Sequence, residues 1–427
     1  MPRLLPPFGR ISASFFLLSA LHIGTYCCSS SSSCPLAFAH VDSMPPNDAS
    51  SLRSPPQQTA CSMAVDTASS VADGDAGQNS NDNYRSRHKW LVVDFDCTLT
   101  KYDTTPTLPL LAALHSGDDD EQRQRRLETF ASHEKEYFDA YLATKERLLN
   151  NGKINADSEE KNNDDDELPH LHDALESLDD VSTFVTNKVS ESSCLAGLPS
   201  HPDKVADIIN GDGELQRLTE LQDGCTAAVA NAYMNGWGLA VLSINWFPSL
   251  IEAAFVEPWR KHVHKHRQSD DGAGNGGKSK TNGDHTYSIP RADVWCNDID
   301  SDGVVTLHLP GASAKRERIR NLKERLLREH QVATESADSA DDVENMRRPL
   351  VIYIGDSSTD LSGLLEADIG IMIGRSSTVL GIADRWKIPL APLKERSELC
   401  DGLHDDDANT VWMADGWDDI EAVLDGL

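Results

Sequence analysis

Two short apolar runs, each breaking off into a pair of acids, constrain this chain more than any other feature. Trp90 to Val93 are apolar, and Asp94 and Asp96 follow at once. Leu350 to Ile354 are apolar, Gly355 permits a tight turn, and Asp356 and Asp360 follow four residues apart. A continuous apolar run without polar alternation suits a strand covered on both faces, as in a parallel sheet. Sheets of that class place their reactive groups just beyond the carboxyl ends of the strands. The two runs therefore predict an α/β fold with a Rossmann-like parallel sheet and a cluster of carboxylates at one end of it. Carboxylates so close repel one another unless a cation offsets them. A divalent metal, Mg²⁺ before others, answers that need because it takes hard oxygen ligands and leaves room for phosphate and water. An Asx turn ending a strand would require only one Asp.

Other segments fall into place around these two. Leu239 to Leu242 predict a core strand, with Ser243 just past its end and able to offer a hydroxyl and an amide to an anion. Lys315 opens an amphipathic helix whose Ile319, Leu322 and Leu326 share one face. Ser357, Ser358 and Thr359 are helix-capping residue types, so Asp356 and Asp360 are expected on one face of a helix that begins there. The segment ADIGIMIG predicts a further strand. The stretch between Thr98 and Ser243 is far longer than a crossover helix needs, so an inserted domain is expected. It reads helical: Leu171, Leu175, Leu178, Val181, Val185 and Val189 recur at spacings of three and four, and the segment from Phe130 is amphipathic.

Taken in order, Asp94-Phe95-Asp96-Cys97-Thr98, Ser243, Lys315 and Gly355-Asp356 through Asp360 match the four motifs of the haloacid dehalogenase-like hydrolase superfamily, which the chain resembles. The segments from Leu175 (LESLDDVSTFVTNKVSESSCLAGL), Leu221 (LQDGCTAAVANA) and Val241 (VLSINWFPSLIEAAF), with GDSSTDLSGLLEADIGIMIG, resemble the phosphatase domain of plant thiamine monophosphate phosphatases and their fungal relatives. The likeness covers roughly residues 88 to 395; the second, helical domain of the plant proteins has no counterpart here. It implies an Mg²⁺-dependent hydrolase of small phosphate monoesters, with a role in thiamine biosynthesis. Asp94 would attack phosphorus to give an aspartyl-phosphate, and Asp96 would act as general acid and then base. Thr98, Ser243 and Lys315 would bind the phosphoryl oxygens. The metal would be held by Asp94, the Asp96 main-chain carbonyl and Asp356, with Asp360 acting through water or by orienting Lys315. In this superfamily the insertion is a helical cap that closes over the site. Phe138, Tyr141 and Trp246 are aromatic candidates to stack on a substrate ring.

The implied organisation is a leader and linker over 1–86, a catalytic core from 87–104 with 236–427, and a helical cap over 105–235. The first 41 residues hold no acid and carry Arg3, Arg10, an apolar run from Ser14 and a serine tract, which suits a signal peptide better than a membrane span. CPLAFAHVD resembles the junction between signal and transit peptides in algae with complex plastids. The expected location is thus an organelle, the plastid first, with the secretory pathway or cytosol as alternatives. Acid-rich Asn151 to Glu167, Gly/Asn/Lys-rich Asp270 to Asp284, and Ala333 to Asp342 read as surface insertions.

Composition narrows the partners. With 39 Lys and Arg against 69 Asp and Glu the net charge is −30, which disfavours nucleic acid, whose binding draws on Lys and Arg replacing counterions. Of nine cysteines, Cys27, Cys28, Cys34 and Cys61 fall in the leader and the rest are scattered singly, giving neither a disulfide framework nor a zinc spacing. The cluster from His262 to Arg267 reads as a solvated basic face, and the tail containing Trp412 and Trp417 as fold completion. The competing readings are a phosphatase of the same superfamily for a sugar phosphate, phosphoserine, phosphocholine or a nucleotide, a non-catalytic binding member, and an acidic scaffold.

Overall fold

The computed structural model describes residues 87–150, 167–272, 290–335, 348–393 and 409–427. The expected leader, nearly all of the acid-rich insertion from Asn151, most of the two later insertions, and Cys400 lie outside the described residues.

The strands are β1 (Lys89–Val93), β2 (Gly238–Leu242), β3 (Asp293–Trp295), β4 (Asp298–Ile299), β5 (Val305–Thr306), β6 (Leu350–Gly355), β7 (Ile369–Ile373), β8 (Leu390–Pro392) and β9 (Val411–Ala414). All but β4 and β5 form one parallel sheet of seven strands in the order β3-β2-β1-β6-β7-β9-β8. This is the expected α/β class. Along β1, Leu91 and Val93 join one apolar cluster and Trp90 and Val92 another; β6 divides likewise, Ile352 and Ile354 against Val351 and Tyr353. The period of two thus sends alternate side chains to two helical layers, which is why the runs contain no polar residue. Gly238 is required where β2 passes β1, because a Cβ there would meet the Trp90 indole.

The helices are α1 (Leu108–Ser116), α2 (Asp120–Asn150), α3 (Glu167–Ser192), α4 (Pro202–Gly211), α5 (Gly213–Leu218), α6 (Cys225–Met234), α7 (Pro248–Ile251), α8 (Glu257–Gly272), α9 (Ala312–Glu335), α10 (Leu361–Glu366), α11 (Ser377–Arg385) and α12 (Trp417–Gly426). On one face of the sheet α6 packs against α8 and α12; on the other α9 packs against α10. The long helices α2 and α3 lie along each other at the carboxyl end of the strands. Tyr141 of α2 hydrogen-bonds Ser358, just after β6, at 2.8 Å, and Lys145 donates to Thr378 of α11 at 2.7 Å. Arg126 of α2 donates to the carbonyls of Cys194 and Ala196, fixing the turn that follows α3.

Several boundaries differ from expectation. Helix α9 begins at Ala312, ahead of Lys315, and runs through Ala333 into the segment that reads as an insertion; α8 likewise continues over Asp270. Long polar helices carry too few apolar residues at their ends to separate them from loops by pattern. Val263, inside the basic cluster, is fully buried, so that segment is a helix with one core-facing side. Asp356 and Asp360 both precede α10, which starts only at Leu361. The Asp360 carboxylate instead accepts from the Asp356 and Ser357 amides, closing a turn before the helix.

Candidate active site

The strand order reverses between β1 and β6: the chain leaves β1 for β2 on one side, while β6 adjoins β1 on the other. Such a switch point opens a crevice beyond the strand ends. Asp94 follows β1 there and Asp356 follows β6, with the Asp94 amide donating to the Ile354 carbonyl at 2.9 Å. Carboxylate oxygens of Asp94, Asp356 and Asp360 all lie within 4.8 Å of one another. The expected cluster is therefore assembled, though its members are far apart in sequence.

Lys315 enters this cluster from the first turn of α9 and is fully buried. Its Nζ donates to Asp94 Oδ1 at 2.8 Å and to Asp360 Oδ1 at 2.6 Å. Burial alone would lower the lysine, but the Asp360 and Asp94 charges outweigh it and hold the ammonium above its ordinary value. Burial would likewise raise Asp360; the Lys315 charge and hydrogen bonds from Lys315, Tyr353 and Ser357 bring it below the ordinary range. Asp94 goes the other way, pushed up to about 8 by burial despite Lys315, with the Asp360 charge adding to the rise. One lysine thus leaves a three-carboxylate cluster undercompensated, and hard oxygens in that number fit a divalent cation such as Mg²⁺.

Asp96 is turned away from these three. Its Oδ1 accepts from the Thr104 amide at 2.8 Å and hydroxyl at 2.6 Å, and its Oδ2 from Asn245 Nδ2 at 2.9 Å. Burial, with the Asp103 charge next, raises Asp96 to about 6 despite these donors. A carboxyl near that value can carry a proton or release one close to neutral pH. Thr98, fully buried, donates its hydroxyl to Asp356 Oδ1 at 3.2 Å. Ser243, also fully buried, accepts from the Asn245 amide at 3.1 Å and donates its own amide to the Trp295 carbonyl at 2.9 Å.

Residues that motif reading passes over hold this arrangement. Asn245 bridges Asp96 and Thr104 and follows Ser243 by two, so its position beside a motif is the signal that was available. Tyr353 donates a hydrogen bond from its hydroxyl to Asp360 from within β6, where it reads as an ordinary strand residue. Trp417 donates from Nε1 to the Thr98 carbonyl at 3.0 Å, so the tail assigned to fold completion pins the loop that bears Asp94 and Asp96.

The wall toward α2 is acidic and aromatic. Asp103 is raised by burial, and Glu134 of α2 is pushed to about 7 by burial and by the Asp103 charge. Tyr137 and Tyr141 stack with ring centroids 5.7 Å apart. Of the aromatic candidates, Tyr141 reaches Ser358, Phe138 is exposed and meets Tyr137 edge-on, and Trp246 packs against the apolar cluster.

No family model matches the chain. It is 25% identical over 317 residues to the mitochondrial bifunctional TH2 protein of Arabidopsis thaliana, a match covering 71% of this chain and 42% of that protein. The chain thus spans about two fifths of that relative. Among solved structures it is similar to a phospho-aspartyl intermediate analogue of phosphoserine phosphatase (TM-score 0.31, 14% identity, 69% of this chain and 91% of that one). It is also similar to a phosphoserine phosphohydrolase-like protein from Francisella tularensis (TM-score 0.30, 13% identity, 78% and 99%). No helix among the described residues is long and apolar enough to cross a membrane.

Proposed function

We propose that this chain hydrolyses small phosphate monoesters through a covalent intermediate on Asp94, with thiamine monophosphate as its substrate. The observation that carries the reading is the convergence of Asp94, Asp356 and Asp360 on a fully buried Lys315 at the strand switch point. Asp94 attacks phosphorus and forms the new P–O bond as the ester P–O bond breaks, which divides one difficult displacement into two easier ones. Asp96 gives its proton to the departing alkoxide and then takes one from the water that cleaves the aspartyl-phosphate. Thr104 and Asn245 hold its carboxyl in place between the two events. Lys315, Thr98 and Ser243 meet the charge on the phosphoryl oxygens, and Asp360, saturated by donors, orients Lys315. Asp94, Asp356 and the Asp96 main-chain carbonyl would hold Mg²⁺, which when bound supplies neutralising charge to the phosphoryl group.

The substrate assignment rests on the α2 wall. A half-buried Asp103 and Glu134 beside stacked Tyr137 and Tyr141 favour an organic cation with a flat ring over a neutral sugar. The thiazolium of thiamine monophosphate has both properties, and the resemblance of the segments from Leu175, Leu221 and Val241 to plant thiamine monophosphate phosphatases points the same way. An ammonium-bearing ester such as phosphoserine meets the charge criterion alone and is the second reading. Helices α2 and α3 serve as the cap within 105–235, and the leader directs the chain to an organelle, the plastid first; imaging a fluorescent fusion of residues 1–86 tests that address.

The deciding experiment is phosphate release by the purified chain with Mg²⁺ across thiamine monophosphate, phosphoserine, phosphocholine, glucose 6-phosphate and a nucleotide. Thiamine monophosphate should lead in kcat/KM, and Asp94→Asn should be inactive. Equal rates across the panel would remove the substrate assignment, and activity surviving the Asp94 change would remove the mechanism.

A further inference from the structure

Helix α9 starts without a cap of its own. Pro310 has no N–H, and Gly311, whose carbonyl accepts the first intrahelical bond from the Lys315 amide at 3.1 Å, has no side chain to fold back. Unmet first-turn amides are costly when buried. Asp179, 133 residues earlier on α3 and only 7% exposed, meets them: its Oδ1 accepts from the Ala312 amide at 3.0 Å and its Oδ2 from the Ser313 amide at 3.2 Å. Gly311 is glycine for the same reason, since a Cβ there would overlap the Asp179 carboxylate. Asn297 fixes the approach to the helix, accepting from the His308 and Leu309 amides, but it leaves Ala312 and Ser313 to Asp179. The turn so capped is the one that delivers Lys315 to Asp94.

We propose that Asp179 is a positioning residue that couples docking of the α2–α3 helices to the seating of Lys315. The inference rests on the phosphatase reading for its kinetic arm but not for its structural one. When α3 lies against the core, its carboxylate completes the first turn of α9 and Lys315 is held at both acids. Without that carboxylate two amides lose their acceptor, the first turn frays, and Lys315 loosens. Catalytic competence thereby depends on α3 lying against the core.

The test compares Asp179→Ala, Asp179→Asn and Gly311→Ala in the full chain by circular dichroism, by kcat and KM measured separately, and by labelling. In the labelling arm acetic anhydride is applied without substrate, and acetylation of Lys315 is read by mass spectrometry against Lys323 on the same helix. Asp179→Ala should lower kcat about tenfold or more while KM changes less than about threefold, the pattern of a lost transition-state contact. Asn keeps an acceptor for one amide and should recover most of that loss. Gly311→Ala should reproduce the Ala phenotype by displacing the carboxylate, and Asp179→Ala/Gly311→Ala should be no worse than Asp179→Ala alone. Lys315 labelling should rise relative to Lys323 in every variant that loses kcat. Folded Asp179→Ala with unchanged kcat and labelling would overturn the proposal. Should that variant fail to fold, the same result in folded Gly311→Ala overturns it. A wild-type chain that releases no phosphate from any ester, yet shows the labelling change, would overturn the phosphatase reading and leave the coupling of Asp179 to Lys315 standing.

Discussion

Replacing Lys315 by Met removes the one buried cation among three carboxylates while nearly preserving volume. Each of its contacts, at 2.8 Å to Asp94 and 2.6 Å to Asp360, is worth about 6 kcal/mol in gross Coulomb energy at an effective dielectric of 20. Most of that offsets the desolvation of the groups. Breaking a buried pair from one side costs about 3–5 kcal/mol net, because the remaining charge is stranded. At roughly 2–4 °C per kcal/mol for a domain of this size, the melting temperature in EDTA should fall by about 6–20 °C at pH 8. The loss should also titrate. Asp360 is held below its ordinary value by Lys315, so the contribution of that contact in the wild type is complete above about pH 4 and fades only in stronger acid, whereas Asp94, raised by burial to about 8, carries its charge only toward the upper end of the range. In the variant the stranded carboxylates regain protons well above that, so its deficit should narrow by up to about 1.4 kcal/mol per pH unit between pH 8 and pH 5. Added Mg²⁺ should restore more stability to the variant than to the wild type, without restoring phosphate release. Differential scanning fluorimetry over pH, with EDTA or Mg²⁺, reads all of this. A variant as stable as the wild type at pH 8 in EDTA, or a deficit independent of pH, would refute the charge argument.

Three further outcomes are expected. Asn245→Ala removes one Asp96 donor and leaves Thr104 in place, so kcat should drop about tenfold with little change in KM; an unchanged kcat would show that Thr104 suffices. Glu134 is raised by burial and by Asp103 to about 7, so the folded chain keeps a proton that the unfolded chain has released. Its contribution is complete below about pH 4.5 and lost as pH rises through 7, by at most about 3 kcal/mol. Glu134→Gln should therefore flatten the fall of melting temperature between pH 5 and pH 8, and parallel curves for the two proteins would contradict that. Gly238→Ala drives a methyl into the Trp90 indole and should cost about 1–3 kcal/mol in urea unfolding, with activity retained per folded molecule; no loss of stability would mean that the β1–β2 contact is looser than described.

Much of this fold is legible because buried parallel strands announce themselves. Trp90 to Val93 and Leu350 to Ile354 have no polar residue to confuse the reading, and both are strands. The motif acids and Lys315 are legible for a related reason: charges placed next to such runs need an explanation that fold stability does not offer. What escaped the reading depends on contacts distant in sequence. Asn245, Tyr353 and Trp417 look like strand-end, strand and tail residues until the chain brings them beside Asp96, Asp360 and Thr98. Asp179 sits within a helical heptad-like pattern and gives no local sign that its partners are amides on another helix. The segment 356–360 reads as the start of a helix but forms a turn, because serine and threonine favour both a cap and a turn and only the Asp360 carboxylate decides between them.

The adjacency of β1 and β6 also bears on how the chain comes into being. Thr98 and Asp356 meet across 258 residues of sequence, and Lys315 reaches Asp94 across 221. At synthesis rates of about 5–20 residues per second, roughly 10–50 s pass between the emergence of one strand and its neighbour. Throughout that interval β1 has an open edge and an apolar face, and the carboxylate after it has no lysine. The nascent chain is therefore sticky and chemically silent at once, and needs protection until its last third arrives. Under the proposed activity, phosphate release would serve as a stringent readout of complete folding, since no early fragment holds Asp94, Lys315 and Asp356 together.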